Sequence, residues 1–203
     1  MNRTFIRSIR LSGLKDFLDH VIQEANDELE SIELRKRRGE FETFEELEHL
    51  ESAPVNRMEI AARAIGQELM NFVESELHVV AYVPWRKSKH KGPKTLMELG
   101  DNDHPEKLRT VSDCNINEVL KLINDHYKIS ICDIDGWVDV DRLRGLINTF
   151  KHRNGMEHPR DCRRGDNGFA LLQFVQIDVQ QAYQYIENVW TFLLALDAAI
   201  TKK

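Results

Sequence analysis

The stretch DVDRLRGLINTFKHRNGMEHP, residues 139–159, decides how the rest of this chain is read. Val140, Leu143, Leu146, Ile147 and Phe150 recur at three and four residues, the spacing of one buried stripe on a helix. Asp139 is placed to cap that helix at its start. Pro159 marks its far limit, because the residue ahead of a proline disfavours helical geometry. Carried on in the same phase, Arg153, Asn154 and Glu157 fall on or beside the stripe, where leucine is expected. A charged group at the edge of a core is costly unless it is paired or used. This segment is therefore where function is sought.

Outward from it, the chain is read as helical on both sides. Leu14, Phe17, Leu18, Val21, Ile22, Ala25, Leu29 and Ile32 hold helical spacing from Ser12, and Gly39 is a natural stop. Residues 1–11 read as an arm or a short helix. Residues 42–51 predict a short acidic helix ending near Pro54. Asn56 with Glu59 resembles a capping box and predicts a new helix, running to just before Pro84. Asn115 with Glu118, and Asp178 with Gln181, predict capped starts for two further helices, whereas residues 128–138 look strand-like or extended. Residues 84–113 form the long connection, either a mobile functional loop or an insertion, with a basic cluster from Arg86 to Lys91 beside Trp85. That cluster suits contact with RNA, although a solvated loop is the commoner use of such a run. The expectation is an all-α fold: an antiparallel bundle of about five helices, one domain over residues 1–203, with a long basic loop.

Composition narrows the partners. No apolar run reaches the roughly 18 residues of a membrane span, and the N-terminus lacks a signal-peptide core, so a cytoplasmic protein without a membrane partner is expected. Cys114, Cys132 and Cys162 are odd in number and unpaired in spacing, which suits a reducing compartment. The histidines show no ligand spacing with them, and Asp133, Asp135, Asp139 and Asp141 miss the calcium-loop pattern. No metal and no cofactor is expected. The net charge of −6 hides an asymmetry, because residues 1–80 hold 10 Lys and Arg against 17 Asp and Glu. Within residues 142–164 the balance reverses: Arg142, Arg144, Lys151, Arg153, Arg160, Arg163 and Arg164 face only Glu157 and Asp161. A basic patch on an acidic protein is a candidate phosphate-binding surface.

Arginine and histidine together suit phosphodiester chemistry. Arginine offers a fork of donors to a phosphate and stays charged, while histidine moves a proton near neutral pH. RNA supplies its own nucleophile in the 2′-hydroxyl, so one cation and one imidazole suffice to cut it without a metal. On a straight helix, residues five apart point about 140° away from each other. Arg153 and His158 therefore share a cleft only if the helix end distorts at Gly155 or a second protomer completes the site.

Arg153-Asn154-Gly155-Met156-Glu157-His158 resembles the motif of the HEPN superfamily (higher eukaryotes and prokaryotes nucleotide-binding), in which Arg and a polar residue precede a His. With 16 Arg and 8 His in the chain, a bare Arg–His pair is a weak match; the Asn makes it specific. The resemblance covers residues 139–200 and weakens over the N-terminal helices. It implies a HEPN-like helical bundle whose homodimer places two motifs in one composite cleft. It also implies metal-independent cleavage of single-stranded RNA, in a toxin or antiphage-defence effector held by a cognate antitoxin or defence partner. Carried onto this chain, Arg153 stabilises the phosphorane, Asn154 positions phosphate or ring, and His158 is the general acid or base. Lys151, Arg160, Arg163 and Arg164 bind RNA, and Glu157 is accessory, either orienting the His or repelling RNA. The resemblance equally accommodates a catalytically inactive HEPN dimerisation or RNA-binding module that acts with a partner protein.

Overall fold

The computed structural model describes residues 3–41, 43–87, 111–153 and 176–201. These residues form an all-α structure, with five α-helices, two single-turn 3-10 segments and no strand among them. The helices are α1 (Arg3–Arg37), α2 (Phe44–Lys87), α3 (Ile116–Tyr127), α4 (Trp137–Arg153) and α5 (Val179–Thr201). The chain divides into two compact units, one of residues 1–70 and 138–191, the other of residues 71–137 and 192–203.

In the first unit, α1 and α2 form an antiparallel hairpin. Leu11, Leu18, Ala25 and Ile32 are buried at seven-residue spacing along α1, the repeat that keeps one seam against a neighbouring helix. The seam is pinned at its rim by ion pairs Arg10–Glu68, Arg57–Glu28 and Lys36–Glu51, the last at 3.5 Å. α1 ends at Arg37, and Gly39 takes the left-handed conformation (φ 69°) expected just past a helix end. The Thr43 hydroxyl then accepts from the Glu46 N–H at 3.1 Å and starts α2. α4 runs antiparallel to α2: Leu143 and Ile147 reach Gly66, where an added Cβ would lie 3.3–3.4 Å from their tips and 2.8 Å from Ile177 Cδ1. α5 runs antiparallel to α1, with Tyr183 against Asp19 and Trp190 near Ser8. Arg7 is wholly buried in this unit, and no buried side-chain nitrogen or oxygen among the described residues lacks a hydrogen-bond partner.

The second unit gathers the end of α2, α3 and the end of α5. Phe72, Val73, Leu77, Val119, Ile123, Ile131, Trp137, Phe192 and Leu196 are among its buried side chains, with Trp137 and Phe192 rings 5.5 Å apart. Asn115 and Glu118 make a reciprocal capping box at the start of α3, at 2.9 and 3.0 Å. His78 on α2 places one ring nitrogen 2.7 Å from the Glu74 carbonyl and the other 3.3 Å from that of Cys114. In the first unit, the Asp178–Gln181 pair likewise caps α5, at 2.7 and 3.0 Å.

Four local expectations are corrected. α1 is already helical from Arg3, so residues 3–11 are part of it. The separate helices expected around Pro54 are one 44-residue helix, in which Asn56 and Glu59 lie exposed along the middle rather than at a cap. Leu47, Pro54 and Ala61 are all buried at seven-residue spacing; continuity of that stripe offsets the roughly 3 kcal/mol that an interior proline costs. α2 also continues through Pro84 to Lys87, so the connection begins four residues later, and Val111–Asp113 at its end form a 3-10 turn. Residues 128–138 are not extended: Ile131–Asp133 is a 3-10 turn and α4 starts at Trp137, which puts Asp139 in its first turn and not at its cap.

Candidate functional site

α4 carries the site as far as the described residues reach. Val140, Leu143 and Ile147 are buried, as the stripe requires, and Phe150 is half-buried beside them. The helix continues unbroken through Lys151 and His152, both exposed, and Arg153 is its last described residue. Asn154, Glu157, His158, Arg160, Arg163 and Arg164 lie outside the described residues. Of the eight sequence-derived candidates, the structure thus positions Lys151 and the backbone of Arg153.

Beside that turn lies a groove of about 300 Å³ between α2 and α4, both parts within the first unit. Ile60, Arg63 and Gln67 line it from α2; Ile147, Phe150 and Lys151 line it from α4. The Arg63 guanidinium sits over the Phe150 ring, 5.6 Å from its centroid. An aromatic face beside a guanidinium and an ammonium suits a nucleotide: base or sugar on the ring, phosphate on the cations. Arg63 escaped sequence reading because it lies on a different helix, about 90 residues upstream of the motif. On a helix face, a single arginine reads as solvated. The available signal was Ile60, an apolar residue one turn away that lies off the stripe of Ala62, Ile65 and Leu69.

The basic patch is narrower than its composition suggests. Arg144 donates twice to Asp141, at 2.9 and 2.6 Å, and Arg142 lies 3.6 Å from Asp139. Both acids stand just upstream of the window in which the charges are counted, and they neutralise two of its seven cations. Positive charge is left at the C-terminal end of α4, with Arg63 beside it. Asp139 and Asp141 are thereby engaged in ion pairs, and among the described residues no three His, Cys, Asp or Glu side chains are placed to hold a metal ion. Trp85 is 3% exposed and stacked on Tyr82 with ring centroids 6.5 Å apart, and the side chains of the basic cluster from Arg86 to Lys91, expected to suit RNA, lie outside the described residues. No described helix is long and apolar enough to cross a membrane.

Compared with protein-family models, with curated proteins and with solved structures, the chain matches none.

Proposed function

We propose that this protein is a metal-independent endoribonuclease of single-stranded RNA, with its site built where α4 ends and completed by a second protomer. The observation that carries the reading is the end of α4. An amphipathic helix runs without interruption into Lys151-His152-Arg153, and an Arg63–Phe150 groove opens beside the last described turn. The resemblance to the HEPN motif supplies the rest of the constellation, and with it the setting of a toxin or antiphage-defence effector.

The chemistry follows from the residue types. A base withdraws the proton of the 2′-hydroxyl, whose oxygen attacks the adjacent phosphorus. The phosphorane gains negative charge, which Arg153 stabilises, and Asn154 holds a non-bridging oxygen or the imidazole in place. His158 moves the proton, as base toward the 2′-hydroxyl or as acid toward the leaving 5′-oxygen. The products are a 2′,3′-cyclic phosphate and a 5′-hydroxyl. Electrostatic stabilisation and proton transfer each contribute roughly 10²–10⁴ in rate. Lys151, Arg63, Arg160, Arg163 and Arg164 bind the strand without reacting.

The test is incubation of the pure protein with end-labelled single-stranded RNA in EDTA, beside Arg153→Ala and His158→Ala. Cleavage by wild type, reduced at least about 100-fold in either variant, is expected. Equal cleavage by all three contradicts the assignment. RNA binding without cleavage by folded wild type selects the inactive binding module instead.

A further inference from the structure

Among the described arginine side chains of α2 and α4, Arg57, Arg142 and Arg144 are each paired with a carboxylate, those of Glu28, Asp139 and Asp141. Arg63 is not. Its guanidinium lies on the Phe150 ring, and among the described residues no carboxylate is paired with it or with Lys151 across the groove. No acid is among the described residues that line the groove. On a chain of net charge −6, two cations facing one apolar recess without a carboxylate complement an anion.

Three features fix what that anion carries. The first is volume: about 300 Å³ is at the lower end of small-molecule sites, room for one nucleotide unit and too little for a partner helix. The second is order along the groove. α2 and α4 are antiparallel, with Gly66 against Leu143 and Ile147, so Gln67 stands at the level of Ile147, and Arg63 stands about 6 Å further along, at the level of Phe150. The cations are thus at the end where α4 runs on into Arg153, and the amide is at the other. The third is the amide itself, the one neutral hydrogen-bonding side chain in the described lining. It sets a donor beside an acceptor, the pattern that meets the ring nitrogen and amine of adenine, whereas guanine calls for two donors, the cytosine amine for an acceptor alone and the uracil carbonyl for a donor alone. The guanidinium that could read guanine is held on Phe150. An aromatic stack holds any base, so the choice among bases falls to Gln67.

We infer that the α2–α4 groove is a base-reading subsite that takes one unpaired adenine nucleotide. The base stacks on the Arg63–Phe150 pair, its edge faces the Gln67 amide, and its phosphate lies at the Lys151 end. Gln67 determines specificity and Arg63 positions the base. The inference rests on the ribonuclease reading only for its consequence, that cuts fall beside adenine. Its test reads binding of nucleotides and not cleavage, so either can fail alone.

Calorimetric titration of the full chain at low salt uses 5′-AMP, 5′-GMP, 5′-CMP and 5′-UMP as probes and inorganic phosphate as the anion control, on wild type, Arg63→Ala, Gln67→Glu and Gln67→Met, with circular dichroism melting as the fold control. Wild type is expected to bind 5′-AMP at least about fivefold tighter than the other three nucleotides and than phosphate. Arg63→Ala, at an exposed position, is expected to weaken all four at least about fivefold with an unchanged melt. Gln67→Glu keeps the acceptor and loses the donor, and is expected to lose the adenine preference. Gln67→Met, similar in length and without the amide, is expected to bind all four nucleotides alike. Equal affinity of folded wild type for the four nucleotides, phosphate binding as tight as 5′-AMP, no nucleotide bound, or an adenine preference that survives both Gln67 variants overturns the inference.

Discussion

Tyr183, Asp19 and Lys15 tie α1 to α5 through one polar cluster. The Tyr183 hydroxyl donates to Asp19, Lys15 donates to the other Asp19 oxygen at 2.8 Å, and its ammonium lies 5.6 Å from the Tyr183 ring centre. Burial first, then the hydrogen bond to Asp19 and its charge, push the Tyr183 phenol up to about 12. The Lys15 hydrogen bond first, then that of Tyr183, hold the Asp19 carboxyl below its ordinary range. The signs agree: Asp19 contributes stability present above its unfolded value of 3.8 and lost as pH falls through its lower folded value. Tyr183 contributes stability that is whole below 10.0 and lost as pH rises toward about 12. Absorbance titration at alkaline pH is expected to show one of the four tyrosines ionising near 12, and Tyr183→Phe to remove that step. Asp19→Asn is expected to move the step part of the way toward 10, since burial, the largest cause, remains. An unchanged step in Tyr183→Phe contradicts the assignment.

Helix by helix, the sequence is most legible where the signal is local. The Asn115–Glu118 and Asp178–Gln181 boxes form as their spacing predicts, since each needs only the residues within one turn. The Asn56–Glu59 box has the same spacing and does not form. Burial of Leu47, Pro54 and Ala61 on one face holds the helix through it, and that burial is a tertiary effect invisible in the local pattern. The signal for the true start of α2 was Thr43-x-x-Glu46, one turn ahead of the apolar run. The first turns of α1 were illegible for another reason: apolar residues on both faces erase the helical period. Gly66 tests the α2–α4 packing. A side chain there meets Ile177, Ile147 and Leu143, all buried, so Gly66→Val is expected to destabilise by about 1–3 kcal/mol in spite of leaving a poor helix former behind. The measurement is the urea midpoint at unchanged m-value; a midpoint that does not fall contradicts the packing described.

Across the whole chain, charge is distributed against nonspecific capture of RNA. A protein of net charge −6 repels the polyanion at long range, so on the proposed reading RNA binding would depend on the cations of residues 151–164 and on Arg63. Arg142 and Arg144 are spent on Asp139 and Asp141. With Lys151, Arg63, Arg153, Arg160, Arg163 and Arg164 as the phosphate contacts, log K is expected to fall with log salt at a slope of about −4.2 for single-stranded RNA. Lys151→Ala is expected to reduce that slope by about 0.7, and Arg142→Ala to leave it unchanged. An equal effect of both substitutions contradicts the narrowed patch. Of the candidate site, the periodic stripe of α4 was legible in the chain, and the motif residues from Asn154 on lie outside the described residues. Its Arg63 wall was not legible, because that wall exists only once α2 packs against α4.

The most direct measurement is the chemistry of the cut itself: wild-type protein in EDTA with an RNA strand, the DNA strand of the same sequence, and the RNA carrying one 2′-deoxy nucleotide at a mapped cleavage position. Expected are 2′,3′-cyclic phosphate ends on the RNA, no cut in the DNA, and loss of the cut at the deoxy position alone. Cleavage of DNA, or a cut that survives the missing 2′-hydroxyl, contradicts the proposed chemistry.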